Sequence, residues 1–467
     1  MEKTIRRAAA VMIALCMILA ALPVTAVFAE DGGIDIGYLT EAMKAAIREH
    51  AADIDVSGMG IAEEKGQEVL EKLLETCHAY NFAYSGLNYR YIPGGNVTKL
   101  AISYKMNREQ LNAAFELIDG TIDSIVAGMP VDGEIYEKLL YAHDWLTVNT
   151  HYDTNDTTHS VHDAYQLFRD GTGVCDAYTA AFMLICERLG VPCEKVSSEQ
   201  MVHAWARVQI DGEWYHVDVT WDDPVSDRMG YARHDHFLVS DAMIKTLNHT
   251  DFEEGYCTSD RFDSAWWRNT ESQVVFIDGD AYYGGVNDGK VYRVSGADQS
   301  VSEIWSTNAT WKAYSHGENS IWPQKYVSVA ARRGMLLANT ASSIVKIDPE
   351  TLETETVLEP QLENKDIYRL FTDKNGVIRY VAAADPNGGS DTVYELEDDF
   401  VLCGDLDGSG VIDTVDLTLM RQYLADAGTE IDAAAADVNL SGVIDTVDLT
   451  MLRQYLADSS VVLGAAA

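Results

Sequence analysis

A thiol attacks a carbonyl only as the thiolate. The stretch "RDGTGVCDAYTAAFMLICERLG" (169–190) sets one where that anion is favoured. The apolar run after Cys175 reads as a helix stopped by Gly190 and Pro192, so Cys175 falls in its first turn. Unsatisfied N–H groups and the helix dipole stabilise negative charge there. The glycines before Cys175 permit a sharp turn and close approach to a substrate. A cysteine by itself is more often a small buried hydrophobe, so the chemistry requires a base.

Two strand-like runs supply one. "VHAWARVQI" (202–210) and "EWYHVDVTW" (213–221) flank Asp211-Gly212, a two-residue hairpin signal. With that turn, His203 lies opposite Thr220 and Trp205 opposite Asp218, which makes His203 and Asp218 diagonal neighbours on one face. Val202, Ala204, Ala206, Val208, Tyr215, Val217 and Val219 make the other face, the expected core side. A histidine held by a carboxylate is a suitable partner for a cysteine nucleophile. Asp218 would orient His203. His203 would take the thiol proton and pass it to the leaving amine. The Cys175 N–H would offer an oxyanion donor.

The elements that must position these groups follow from periodicity. "DGEIYEKLLYAHDWLTVNTHYD" reads as a helix, and "DAYQLFRDG" as a shorter one. His143, His151, His159 and His162 match no metal-ligand spacing and are expected on solvated loop and helix surfaces. Asp222 and Asp223 are expected in a turn; Tyr178, Trp205 and Trp221 are expected in the core rather than as a substrate platform, with the cleft wall as the alternative for Trp221. Residues 38–130 read mostly as helices, with "YRYIPG" and "KLAISYKM" extended. Between 270 and 400 the pattern turns to strands. "GKVYRV", "SSIVKIDPET" and "DTVYEL" recur about fifty residues apart, which hints at propeller-like blades, but three close no usual ring and an open β-sheet domain is expected.

An internal repeat occupies the end of the sequence. "GVIDTVDLT" occurs at 410–418 and 442–450, and "RQYLAD" at 421–426 and 453–458. The preceding loops place oxygen donors at positions 1, 3, 5, 7, 9 and 12 of a twelve-residue calcium loop, with Gly410 and Gly442 at position 6. In the first loop the donors are Asp405, Asp407, Ser409, the Val411 carbonyl, Asp413 and Asp416. In the second they are Asp437, Asn439, Ser441, the Val443 carbonyl, Asp445 and Asp448. Two structural Ca²⁺ ions are expected, and no cofactor for catalysis.

Composition bounds the setting. The formal net charge is −40, and −42 without residues 1–29, which carry three basic and one acidic side chain. Such a surface repels nucleic acid and anionic lipid. Residues 1–29 have the charged start, apolar run and small-residue end of a cleaved secretory signal, so a secreted, extracellular protein without membrane attachment is expected. Six cysteines follow that segment, without a CxxC pair, which indicates neither a disulfide scaffold nor a zinc module.

"GTGVCDAYTAAFMLICERLGVPC" and "HAWARVQIDGEWYHVDVTWDDP", with "LLYAHDWLTVNTHYD" and "HDHFLVSD" around them, resemble the transglutaminase-like superfamily. The resemblance implies a papain-like α+β fold over about 131–245, with Cys175, His203 and Asp218 as nucleophile, base and orienting acid. The duplicated loop-helix units resemble a type I dockerin, in which Asp at position 12 is usual. That resemblance implies a cohesin module of a scaffoldin as partner. It places recognition at Thr414, Val415, Arg421 and Gln422, and again at Thr446, Val447, Arg453 and Gln454.

The fold expected is α+β: a signal at 1–29, a helical region at 30–130, a papain-like transglutaminase core at 131–260, a β-rich domain at 270–400 and an all-α calcium-binding dockerin at 403–460. The activity expected is attack on a peptide or protein amide through a thioacyl intermediate. Water would resolve it in a protease or amidase, an amine in a crosslinking enzyme. A non-catalytic binding protein anchored by its dockerin is the competing class.

Overall fold

The computed structural model describes residues 34–153, 161–223, 225, 228–312, 314–315, 321–322, 324–332, 334–386, 391–396, 403–409, 411–439, 441, 443–457, 461 and 463. The expected signal segment, His159, Gly410 and Gly442 lie outside the described residues. The chain divides into two compact units. One runs to Asp119 and includes 163–165; the other comprises 120–162 and the chain from Gln166 onward.

The first unit is mixed, with helices and a small sheet. Helix α1 (Ile36–Arg48) starts at Asp35, whose carboxylate accepts the Tyr38 N–H at 2.9 Å. It buries Leu39, Met43, Ala46 and Ile47, one stripe at helical spacing. β1 (Asp53–Asp55), α2 (Gly66–Thr76), β2 (Tyr84–Tyr91) and β3 (Val97–Tyr104) follow, and the strands form an antiparallel sheet in the order β1-β3-β2. The two runs expected to be extended are β2 and β3. Helix α3 (Arg108–Ala127) leads out of this unit.

Past the end of α3, the second unit continues with α4 (Ile135–Asn149), whose N-terminus is a capping box of Glu134 and Glu137. β4 (His151–Tyr152), α5 (Ala164–Asp170) and β5 (Thr172–Gly173) lead to α6 (Cys175–Leu189). From Ala177 to Cys186 every residue of α6 is buried, so it is a core helix without a wet face. β6 (Cys193–Ser198), β7 (His203–Ile210), β8 (Glu213–Val217), the short helix α7 (Val219–Asp222), β9 (Phe237–Val239) and α8 (Asp241–Thr246) complete this part. The sheet order is β6-β7-β8-β9, all antiparallel.

The β7–β8 hairpin has the expected register, with Ala206 opposite Val217 and Val208 opposite Tyr215. Asp211 (φ 53°) and Gly212 (φ 86°) both take the left-handed conformation that such a turn requires. Two expectations about this sheet are corrected. The ladder stops at Val217, because Asp218 leaves it to cap α7. Val202 is 86% exposed rather than part of the core face. On the opposite face Trp205 and His216 are buried as well.

The region after 270 is a series of separate meanders, not one open sheet. β10 (Val275–Ile277), β11 (Asp280–Gly284), β12 (Lys290–Val294) and β13 (Val301–Ser306) form the first. After a two-stranded pair, β14 (Tyr314–Ser315) and β15 (Ile321–Trp322), comes the second: β16 (Val329–Arg332), β17 (Met335–Asn339), β18 (Ile344–Ile347) and β19 (Thr354–Leu358). The third is β20 (Asp366–Thr372), β21 (Ile378–Ala383) and β22 (Thr392–Glu395). One buried cluster draws on all three, including Val291, Leu336 and Tyr368. The three recurring strand motifs are β12, β18 and β22, each the third strand of its meander. In the two four-stranded meanders, pairing to the fourth strand slips at Val291/Tyr292 and at Ile344/Val345.

The last elements are α9 (Thr414–Ala425), α10 (Ala433–Ala436) and α11 (Thr446–Ala457). Leu406, Met420, Ala436 and Leu452 form their core.

Gly173 sits where a Cβ would come within 2.8 Å of the Ala177 Cβ and 3.0 Å of Leu167 Cδ1. Gly173→Ala should therefore destabilise by about 1–3 kcal/mol through overpacking. Gly120→Ala, in open space on α3, should be neutral or stabilise by up to about 1 kcal/mol. Denaturant titration of both variants checks the contrast.

Candidate active site

Cys175 is the first residue of α6 and is partly exposed. The Thr179 hydroxyl lies 2.8 Å from its carbonyl oxygen and 3.2 Å from that of Ala204, so one side chain ties the cysteine turn to β7. His203 opens β7, directly after Val202, a β-branched residue held at φ 51°. The imidazole stacks on Trp205 and lies tilted against Trp221, each 5.6 Å away between ring centres. Its Nε2 is 2.6 Å from Asp218 Oδ2, which leaves Nδ1 for the thiol.

Asp218 is wholly buried. Its Oδ1 accepts the N–H groups of Thr220 (3.0 Å) and Trp221 (3.2 Å), the N-cap bonds that end the strand and start α7. Oδ2 accepts from His203. Burial disfavours its charge, but hydrogen bonds from His203 and His249 prevail and hold the carboxyl at about 2. His203 shows the complement. Burial works against the imidazolium, yet hydrogen bonds to Asp218 and Cys175 raise it to about 10. An ionised acid, a histidine biased towards its cation and a thiol at a helix N-terminus can form a thiolate–imidazolium pair.

Behind this group lies a set of buried charges that sequence reasoning missed. Asp222 accepts from His143 Nε2 (3.2 Å), from His236 Nδ1 (2.9 Å) and from the His236 N–H. Asp144 Oδ1 accepts from His143 Nδ1 (3.0 Å) and His234 Nε2 (2.8 Å), and its Oδ2 accepts the Val274 N–H (2.8 Å). His234 Nδ1 donates to the Thr270 carbonyl at 3.2 Å. His143, expected on a wet surface, is fully buried and raised to about 9: burial opposes the cation, and hydrogen bonds to Asp144 and Asp222 outweigh it. Asp222 is no exposed turn residue either; it is buried and held well below the ordinary carboxylate range. On the far side of Trp205, whose indole N–H donates to His216 Nδ1 at 3.0 Å, burial keeps His216 down at about 4 beside Asp241. The readable signal was His-Asp adjacency in "HDW", "HDH" and "WDDP", where charged pairs sit among apolar residues.

The two acidic loops repeat one geometry. Ser409 N–H donates to Asp405 Oδ1 and Asp407 Oδ1, both at 3.0 Å; Ser441 N–H donates to Asp437 Oδ1 and Asn439 Oδ1, both at 2.9 Å. The Val411 and Val443 carbonyls accept from Ser409 and Ser441 hydroxyls. Asp416 and Asp448 are buried and take the N–H groups of Asp413 and Asp445. Asp413 and Asp445 cap α9 and α11 through Val415 and Val447. Carboxylate oxygens of Asp405, Asp407 and Asp416 converge within 4.8 Å of one another. Three like charges so close, with hydroxyl and carbonyl oxygens beside them, fit a hard cation. Thr414, Val415, Arg421 and Gln422 are exposed on α9, as are Thr446, Val447, Arg453 and Gln454 on α11.

No helix among the described residues is long and apolar enough to cross a membrane. Residues 123–219 match the family described as Transglutaminase-like superfamily, and residues 403–457 match the Dockerin type I domain. Kyphoscoliosis peptidase of Mus musculus is 24% identical and that of Homo sapiens 25% identical, each over 168 residues and 29% of this chain. The chain spans 25% of the length of these curated relatives. A solved structure described as a TGase is 16% identical, covers 37% of this chain and 51% of its own, and superposes with a TM-score of 0.23. The chain thus carries a transglutaminase-like core and a C-terminal type I dockerin domain.

Proposed function

We propose that this is a secreted cysteine hydrolase that cleaves peptide or protein amide bonds while its dockerin tethers it to a cohesin on a cellulosome-type scaffold. The observation that carries the reading is the 2.6 Å bond from His203 to Asp218 beside a cysteine at a helix N-terminus. His203 takes the Cys175 proton and the sulfur adds to the amide carbonyl. The oxyanion is met by the Cys175 N–H. Collapse breaks the C–N bond, and the imidazolium hands its proton to the departing amine. Water, deprotonated by His203, then adds to the thioester, and the carboxylic acid leaves as the thiol is restored. Asp218 stays ionised throughout and keeps the ring aligned.

In the dockerin, Asp405, Asp407, Ser409, Val411 and Asp416, with Asp413 acting through water, would hold one Ca²⁺. Asp437, Asn439, Ser441, Val443, Asp445 and Asp448 would hold the other. Bound calcium supplies the charge that lets these loops pack. The eight exposed side chains on α9 and α11 meet the cohesin.

Iodoacetamide should label Cys175 ahead of the partly exposed Cys193 near neutral pH, and His203→Ala should slow that labelling at least tenfold. Peptide mass spectrometry reads both rates, and equal slow labelling in the two proteins would contradict an activated thiol. Chelation with EDTA should unfold the 403–457 module while Cys175 labelling keeps its rate; circular dichroism and the same labelling assay separate the two effects.

The pH dependence of stability follows from the shifted groups. His203 is raised above its ordinary 6.5, so its contribution is full below about 6.5 and is lost as pH climbs through about 10. Asp218 is lowered from 3.8, so its contribution is full above about 4 and is lost as pH falls towards 2. Thermal melts across pH should show a plateau between these windows. His203→Ala should flatten the alkaline decline without abolishing it, because His143 titrates there too.

A further inference from the structure

Asp218 Oδ2 carries a second imidazole. His249 Nε2 lies 2.8 Å from the oxygen that His203 uses, and its side chain is completely buried. Its Nδ1 is buried and has no hydrogen-bond partner among the described residues. The proton therefore sits on Nε2 and the bare lone pair on Nδ1, since an N–H there would be a buried, unmet donor. The ring is fixed on several sides: by Trp221 at 4.3 Å, edge-on by Trp205 at 4.9 Å and by His236 at 5.2 Å between ring centres.

The local chain explains how His249 arrives there. After α8, Asn248 takes a left-handed conformation (φ 70°), and the His249 N–H closes back onto the Ile244 carbonyl at 3.2 Å. The next residues grip the approach to His203. Thr250 N–H meets Met201 Sδ at 3.1 Å, and Asp251 accepts the Gln200 N–H at 2.9 Å. One short segment thus contacts both the orienting acid and the turn that presents the base.

We propose that His249 is a positioning residue, which by donating to Asp218 Oδ2 holds that oxygen in line with His203 and tempers its basicity. The inference rests on Cys175, His203 and Asp218 being the catalytic set. Two donors on one oxygen share its charge. His203 then has less drive to stay protonated, and its proton remains exchangeable with the thiol and the leaving amine. Without His249 the carboxylate would hold the imidazolium harder, and the cation would persist to higher pH. The groups that bear on this titration are Cys175 and Asp218 against His203, and His216 and His236, with Asp222 behind the latter, against His249.

The test needs no substrate. The alkylation rate of Cys175 against pH, followed by mass spectrometry on the full chain, has a lower limb for the thiolate–imidazolium pair and an upper limb for loss of the His203 proton. In His249→Phe, which keeps a ring but no donor, the upper limb should move up by about 0.5–1 pH unit. His249→Gln, with an amide donor at similar reach, should restore it. If the phenylalanine variant does not fold, His249→Asn, whose amide falls short of Oδ2, is expected to show the same displacement and decides in its place. Limbs that coincide with the parent protein's, whatever the change in melting temperature, would overturn the role. A parent protein whose Cys175 reacts no faster than Cys193, on a single limb, would instead remove the catalytic reading and this inference with it.

Discussion

A carboxylate taken wholly out of water keeps its charge only if donors meet its lone pairs. Asp218 receives four hydrogen bonds: two from the backbone of its own helical turn, one from His203 and one from His249. Those donors come from the start of β7, the turn into α7 and the loop after α8. The end of β8, the first turn of α7 and the entry to β7 must therefore assemble together, or a bare charge is left in the interior. The core helix α6 joins the same assembly through Thr179, which touches the Cys175 and Ala204 carbonyls.

Part of this was legible in the residues alone. Asp211-Gly212 sets the hairpin, and its register carries His203 and Asp218 towards one another. Strand alternation misleads where a side chain overrides the ladder. Alternation makes Asp218 a strand residue, but its carboxylate reaches forward to two backbone N–H groups and turns the chain into α7. Alternation also points Val202 inward, and it fails at this residue of positive φ. His249 lies 31 positions from its carboxylate partner, beyond any periodicity that a strand or helix imposes.

The same limit hides the interior network. Asp144 and His234 are separated by 90 positions, Asp222 and His143 by 79. Each side chain looks polar and therefore surface-bound when read singly. Only their mutual pairing makes burial tolerable. Local repetition was easier to read. The 32-residue echo in the dockerin and the fifty-residue echo of third strands both became matching structure, although the latter built separate meanders where a single sheet was expected.

Two bonds of that network reach the stretch just before the first meander, some fifty residues past the family match at 123–219: the Val274 N–H into Asp144, and His234 onto the Thr270 carbonyl. Residues just ahead of the first meander thus solvate charges inside the papain-like part. Any natural shuffling event or engineered trimming that severed the polypeptide before Thr270 would strand a carboxylate and an imidazole in the dark of the protein. The smallest autonomous piece with an intact thiol site is accordingly longer than its homology suggests. The meander region is then less a detachable accessory than a neighbour whose threshold the transglutaminase-like core borrows.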